Sequence, residues 1–281
     1  MRAQYNLATM YRLGEGVRVN YAEAMRWYTF AANQGDVFSQ FELGNMYRFG
    51  RGVDKDPRIA IDWYRRAAEQ GHMSSQFTIA RMYELGEGGV ENGLEAAAIW
   101  YMHAARSGNA AAQHRLGLMY ETGRGLPRDY ASAASWYRKA TEEHQFLPSM
   151  VALGQLYEGG LVTGRRDPDT ARTWYQKAAE AGYVPGMVEM GRVMRDGVGA
   201  PADLIGAYKW FWLAAEELKG QESDLRITAI RYMTELSQRF SRADREKAER
   251  EVQAWVARRN IEQNRSQSRG GTTQAPAFKY E

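Results

Sequence analysis

The chain is predicted to be all-α and built as an array of helix pairs, a solenoid, on three observations. The dipeptide Trp-Tyr recurs at Trp27-Tyr28, Trp63-Tyr64, Trp100-Tyr101, Trp136-Tyr137 and Trp174-Tyr175, with Trp210-Phe211 as a sixth copy, at intervals of 36 to 38 residues. A second landmark stands sixteen or seventeen residues ahead of each Trp: Tyr11, Tyr47, Tyr83, Tyr120 and Tyr157, with Met194 in the sixth copy. Three residues before that landmark every copy has a small residue: Ala8, Gly44, Ala80, Gly117, Gly154 and Gly191. A period of this length marks stacked units, none of which can bury its apolar face alone. Two landmarks per period mean two helices per unit.

Within each unit the first helix comes first. Its apolar residues fall four and one before the landmark, as Leu43 and Met46 do before Tyr47, and that is helical spacing. Glycine inside a helix costs about 1 kcal/mol relative to alanine, so glycines at this one register imply close approach of the partner helix. The turn follows, with glycines three and five after the landmark (Gly14 and Gly16, Gly50 and Gly52, Gly123 and Gly125), where positive φ ends a helix. Seven before each Trp an N-cap residue starts the second helix: Asn20, Asp56, Asp129, Asp167 and Asp203, with Gly93 the exception. Pro57 and Pro168 stand at the first helical position after their caps. The second helix carries small residues on both sides of its Trp-Tyr pair, Ala24 with Ala31-Ala32 and Ala60 with Ala67-Ala68, so both aromatics are read as core.

The pattern Leu-Gly-x-x-Tyr-x-x-Gly-x-Gly-Val followed by Asp-x-x-x-Ala-x-x-Trp-Tyr-x-x-Ala-Ala resembles the Sel-one-like repeat (SLR) family, a relative of the tetratricopeptide repeat. Residues 40 to 71 and 113 to 140 are its clearest copies, and it covers about residues 1–218. The resemblance implies a right-handed superhelix of antiparallel helix pairs, serving as an interaction scaffold in bacterial regulation, envelope biogenesis or host contact, with no shared catalytic residues. Three departures stand out: the insertion Gly89, the rebuilt loop Gly159–Arg166 of the fifth unit, and His144 where the fourth unit should end in glycine.

After Gly220 the period is lost. Leu225, Ile227, Ile230, Met233 and Leu236 suggest one further helix, and Ser241 with Asp244 opens another, so residues 219–260 are read as a helical cap. Residues 261–281, rich in Gln, Ser, Arg, Gly and Thr, are expected to be a disordered tail. Met1 falls where the first helix should already be starting, so the first unit is expected to lack a cap. No stretch reads as a signal peptide or membrane span. The compartment expected is the cytoplasm if the chain is complete, and the periplasm or exterior if a leader is missing.

The formal net charge is +3, and from Ser241 onward nine Lys/Arg face six Asp/Glu, which accounts for the whole excess. Neutral repeats argue against nucleic-acid binding, which needs a basic stripe. With no cysteine there is no disulfide, thiol nucleophile or cysteine-zinc site. His72, His103, His114 and His144 form no His-x-x-x-His pair, so no metal site is assigned. The Gly-x-Gly elements repeat at helix ends and lack the Lys-Ser or Lys-Thr of a phosphate loop. No acid/base pair stands out, and no cofactor is expected.

The function read from these features is that of a non-enzymatic adaptor holding a protein or peptide partner on the concave inner face of the superhelix. A cell-wall or carbohydrate-active module and a structural subunit of a larger assembly are the alternatives. Two rows on the first helices, five and two before the landmark, are read as the variable surface; they include Glu42, Asn45, Arg81, Arg115, Leu118, Gln155 and Arg192. Leu13, Phe49 and Leu85, two residues after the landmark in three consecutive units, are either an exposed apolar ridge or residues packed under the following loop.

Overall fold

The computed structural model describes residues 1–89 and 93–268, with side chains to residue 261. Among the described residues there are fourteen helices and no strand. Six pairs follow one another: α1 (Arg2–Leu13) with α2 (Tyr21–Asn33), α3 (Val37–Phe49) with α4 (Pro57–Glu69), α5 (Met73–Glu84) with α6 (Gly93–Arg106), α7 (Ala110–Thr122) with α8 (Tyr130–His144), α9 (Leu147–Gly159) with α10 (Pro168–Glu180), and α11 (Val184–Asp196) with α12 (Leu204–Glu217). Then come α13 (Asp224–Arg239) and α14 (Arg242–Ser268). The helix α14 thus runs past residue 261, where the sequence suggested the tail begins. Residues 269–281, the rest of that expected tail, lie outside the described residues. The chain forms two compact units, Met1–Ser149 with Leu161–Thr163, and Met150–Gly160 with the residues from Gly164 onward.

Five of the six pairs share the same closing bond. Gly14, Gly50, Gly123 and Gly197 end their helices in the left-handed conformation, at φ of 78°, 67°, 72° and 71°. The cap residue of the second helix then donates its backbone N–H to the carbonyl of the landmark: Asn20 to Tyr11, Asp56 to Tyr47, Asp129 to Tyr120, Asp167 to Tyr157 and Asp203 to Met194, at 2.8–2.9 Å. The rebuilt fifth loop keeps this bond, with Gly160 and Gly164 supplying its positive φ. The cap side chains accept from the first-turn amides as their residue types require, Asp129 from Ala131 and Ser132, Asn20 from Glu23.

The core corrects one reading of the sequence. The tyrosines Tyr28, Tyr64, Tyr101, Tyr137 and Tyr175, and Phe211 in the sixth pair, are fully buried, whereas Trp27, Trp63, Trp100, Trp136 and Trp174 are only half-buried. The reason lies in the glycine register. A Cβ placed on Gly44, Gly117 or Gly154 would come within 2.4–2.5 Å of the ring of Tyr64, Tyr137 or Tyr175, and one on Gly191 within 2.7 Å of Phe211. The close helix approach inferred from those glycines is therefore the seat of the Tyr ring. The tryptophans flank it, several with a cation over the indole: Arg66 and Lys177 lie 4.4 Å from the centroids of Trp63 and Trp174.

Candidate protein-interaction surface

Each buried Tyr carries its hydroxyl through to the first helix of its own pair, where a polar side chain meets it. Tyr28 Oη lies 2.9 Å from Thr9 Oγ1 and accepts from Arg12 Nε at 3.2 Å, and Tyr64 donates to Asn45 Oδ1 at 2.7 Å. Tyr101, Tyr137 and Tyr175 donate to the carboxylates of Glu84, Glu121 and Glu158 at 2.5, 2.6 and 3.0 Å. Burial, reinforced by the neighbouring carboxylates, pushes these three phenols well above their ordinary value, so they stay neutral donors.

Those carboxylates belong to a row that sequence reasoning missed, one residue after the landmark: Arg12, Arg48, Glu84, Glu121, Glu158 and Arg195. It pairs with the next repeat. Arg12 approaches Glu42 at 3.9 Å, Glu84 takes Arg115 at 3.4 Å, and Arg48 holds Glu87 through two bonds of 2.9 Å. In the second compact unit Arg192 reaches Glu158 at 3.0 and 2.5 Å and Glu189 at 2.7 Å. Although burial opposes its charge, these two carboxylates raise the Arg192 guanidinium above its ordinary value. Glu158 is correspondingly lowered, burial notwithstanding, by the bond to Arg192. A signal existed in the sequence: in adjacent repeats the two rows carry opposite charges, as in Arg12 with Glu42 and Glu84 with Arg115.

The residues singled out as a partner surface therefore fall into two groups. Glu42, Asn45, Arg115 and Arg192 are half-buried and tied into the chain's own ladder, Asn45 also donating to Glu42 at 3.3 Å. Arg81 and Leu118 are half-buried, and Gln155 is exposed. Leu13, Phe49 and Leu85 are open, with 49%, 54% and 57% of their surface accessible. They are not packed under their loops. Leu13 and Phe49 are the last residues of α1 and α3, Leu85 directly follows α5, and the next residue in each case is a glycine of positive φ. Two guanidiniums approach the Phe49 ring, Arg48 at 5.3 Å and Arg51 at 5.4 Å from its centroid.

One concavity of about 630 Å³ lies in the first unit against Tyr5, Val37 and Phe38, and two of those in the second unit bear on function. One, of about 350 Å³, is bordered by Glu158, Arg166, Glu189 and Arg192, and three of these four are bonded to one another. The other, of about 480 Å³, is a mainly apolar groove over Tyr208 and Trp212 of α12 and Val252 and Val256 of α14. Among the described residues no group of three or more His, Asp or Glu is arranged to hold a metal. Nor is any described helix long and apolar enough to cross a membrane.

Helix pairs of one spacing, each with a fully buried aromatic ring between its members, define a helical repeat protein. The chain belongs to the Sel1 repeat family: six Sel1 repeats match residues 2–36, 37–72, 74–109, 110–144, 147–183 and 184–217. Proteins of this repeat type are in general scaffolds for protein interaction. The fold is similar to the crystal structure of a Sel1 repeat protein from Oxalobacter formigenes, at 28% identity and a TM-score of 0.67 over 76% of this chain and 84% of that one. More distant likenesses include a protective antigen of uropathogenic Escherichia coli with an SLR fold (23% identity, TM-score 0.46, 100% of this chain and 81% of that one) and the immunity protein Pa5087 of Pseudomonas aeruginosa (19%, TM-score 0.39, 84% and 81%). No curated protein matches the sequence.

Proposed function

We propose that the chain is a non-enzymatic adaptor that captures a protein or peptide segment across the ends of α1, α3 and α5, with Leu13, Phe49 and Leu85 as its apolar contacts. The observation that carries this reading is the exposure of large apolar side chains at one register in three consecutive repeats. Apolar side chains exposed at one register of successive repeats offer a partner a regular set of contacts. The ladder beside it supports the same reading, because Arg12, Glu42, Arg48, Glu84, Glu87 and Arg115 largely neutralise one another and leave the apolar ridge as the feature a partner can gain from. The cell-wall enzyme alternative finds no support in the polar concavity, whose charged groups are mostly engaged with each other.

The test is selection of peptides from a displayed library on the wild-type chain, followed by measurement of the selected peptides on Leu13→Ser/Phe49→Ser/Leu85→Ser. Affinity should fall at least tenfold in that variant and stay unchanged in Phe30→Ser, which alters an exposed aromatic on α2. Equal binding to wild type and triple variant would overturn the reading.

A further inference from the structure

His114 stands where three other repeats carry an aromatic ring. Six residues before the landmark are Tyr5, Phe41 and Phe77, whose ring centroids lie 5.8, 5.6 and 5.7 Å from those of Tyr28, Tyr64 and Tyr101. In the fourth repeat the imidazole of His114 takes this place, 5.2 Å from Tyr137 and 5.4 Å from Phe146. Its Nδ1 lies 2.9 Å from the Oγ of Ser149, a fully buried residue in the first turn of α9. One ring thus joins α7 to the start of the next helix through an apolar contact and a single hydrogen bond.

The charged groups around it offer no counter-ion. Arg115 is next to it on α7, and Glu121 is bound by the Tyr137 hydroxyl. On α8, Glu143 accepts from Gln113 Nε2, and Arg138, Lys139 and Glu142 belong to the same helix end. On α9, residues Leu147 to Leu153 include nothing ionisable. No carboxylate of the described residues bonds His114.

We propose that His114 is an acid-sensitive latch: neutral, it holds Phe146 and Ser149 against α7 and Tyr137, and on taking up a proton it releases the first turn of α9. A neutral imidazole can bond Ser149 in either tautomer, but an imidazolium has two donors and no anion in reach. Burial first, and the Arg115 charge second, hold the imidazole down at about 4. With the latch open, the ring titrates near its ordinary value of about 6.5. The open form therefore binds more protons between these values, so the closed form is fully favoured above pH 6.5 and loses ground as pH falls toward 4, by up to about tenfold per unit.

Amide hydrogen exchange read at residues 146–153 tests this at pH 7 and pH 4.5, after correction for intrinsic rates. Protection in the wild type should drop by up to about a hundredfold, and in His114→Phe it should not. His114→Gln, which keeps a neutral hydrogen-bonding group, should also lose the pH dependence and serves if the Phe variant packs poorly. His72, whose Nδ1 lies 2.8 Å from Ser75 Oγ beside Phe38 and Phe41, is unchanged in both variants and provides the reference. Equal loss of protection in wild type and both variants, or an NMR titration of His114 centred near 6.5, would overturn the proposal.

Discussion

In the first compact unit the joint between repeats is built from a ring and a primary amide; within the second, between α10 and α11, it is built from valine and methionine. The amides of Gln40, Gln76 and Gln113 are buried and reach back to the carbonyls of Ala32, Ala68 and Ala105 at 3.1–3.2 Å. Beside them stand Phe41, Phe77 and His114. At the same two registers the sixth repeat has Met187 with Val188, both buried. The seat of the Tyr ring on its glycine, in contrast, is the same in Gly44 with Tyr64 and Gly154 with Tyr175. The repeat thus fixes the packing inside a pair and leaves the chemistry between pairs free to vary.

The largest effect should be common to both units. Tyr101→Ala and Tyr175→Ala should each cost about 3–5 kcal/mol, whereas Trp100→Ala and Trp174→Ala, which remove half-exposed rings, should cost about 1–3 kcal/mol. Urea unfolding of the four variants checks the order, and a Trp variant as damaging as its Tyr neighbour would break the shared skeleton.

Exchanging the joints sharpens the difference between units. Gln76→Met removes a second donor from the Ala68 carbonyl, which keeps the Gly71 N–H at 2.9 Å, and should lose about 0.5–1.5 kcal/mol; Met187→Gln buries an amide in an apolar joint and should lose about 1–3 kcal/mol. If both swaps leave the unfolding midpoint in place, the two kinds of joint are interchangeable and the comparison has no energetic content.

A smaller gain is expected at the last joint of the first unit. Gln34 and Gln70 donate to Gln4 and Gln40 Oε1 at 2.9 and 2.8 Å, and Ser107 to Gln76 Oε1 at 3.3 Å. Glu143 holds the equivalent place, cannot donate as a carboxylate, and leaves the buried Gln113 Oε1 without a partner. Glu143→Gln should stabilise the chain by about 1 kcal/mol, the more so because it removes an anion from the carbonyl end of α8. A lower melting temperature would show that the exposed contacts of Glu143 with Lys139 and His144 matter more than the missing donor.

Spacing alone made the helix pairs, their turns and caps, and the close approach at Gly44, Gly117 and Gly154 legible. Which neighbour of each Trp-Tyr pair fills the core was legible too, on a finer reading. At about 100° per residue, Tyr28 falls within the arc from Ala31 to Ala32 that faces the first helix, while Trp27 lies outside it. The ladder was harder to read because it joins residues thirty or more apart through long side chains, as in Arg12 with Glu42. In the two rows read as open, Asn45, Arg115 and Arg192 turned out to be engaged by Tyr64, Glu84 and Glu158. Whether Leu13, Phe49 and Leu85 were open or covered depended on how sharply the chain turns at Gly14, Gly50 and Gly86, which composition does not reveal.

Stability is assigned to the buried Tyr row and partner capture to the open residues two places past the landmark. The most direct test measures both properties of one variant, Phe49→Ser, on the same sample: the urea midpoint, and the affinity for a peptide selected on the wild type. The midpoint should hold to within about 0.5 kcal/mol, as for an exposed site, while affinity falls at least tenfold. A loss of several kcal/mol with unchanged affinity per folded molecule would contradict the account and return Phe49 to the core.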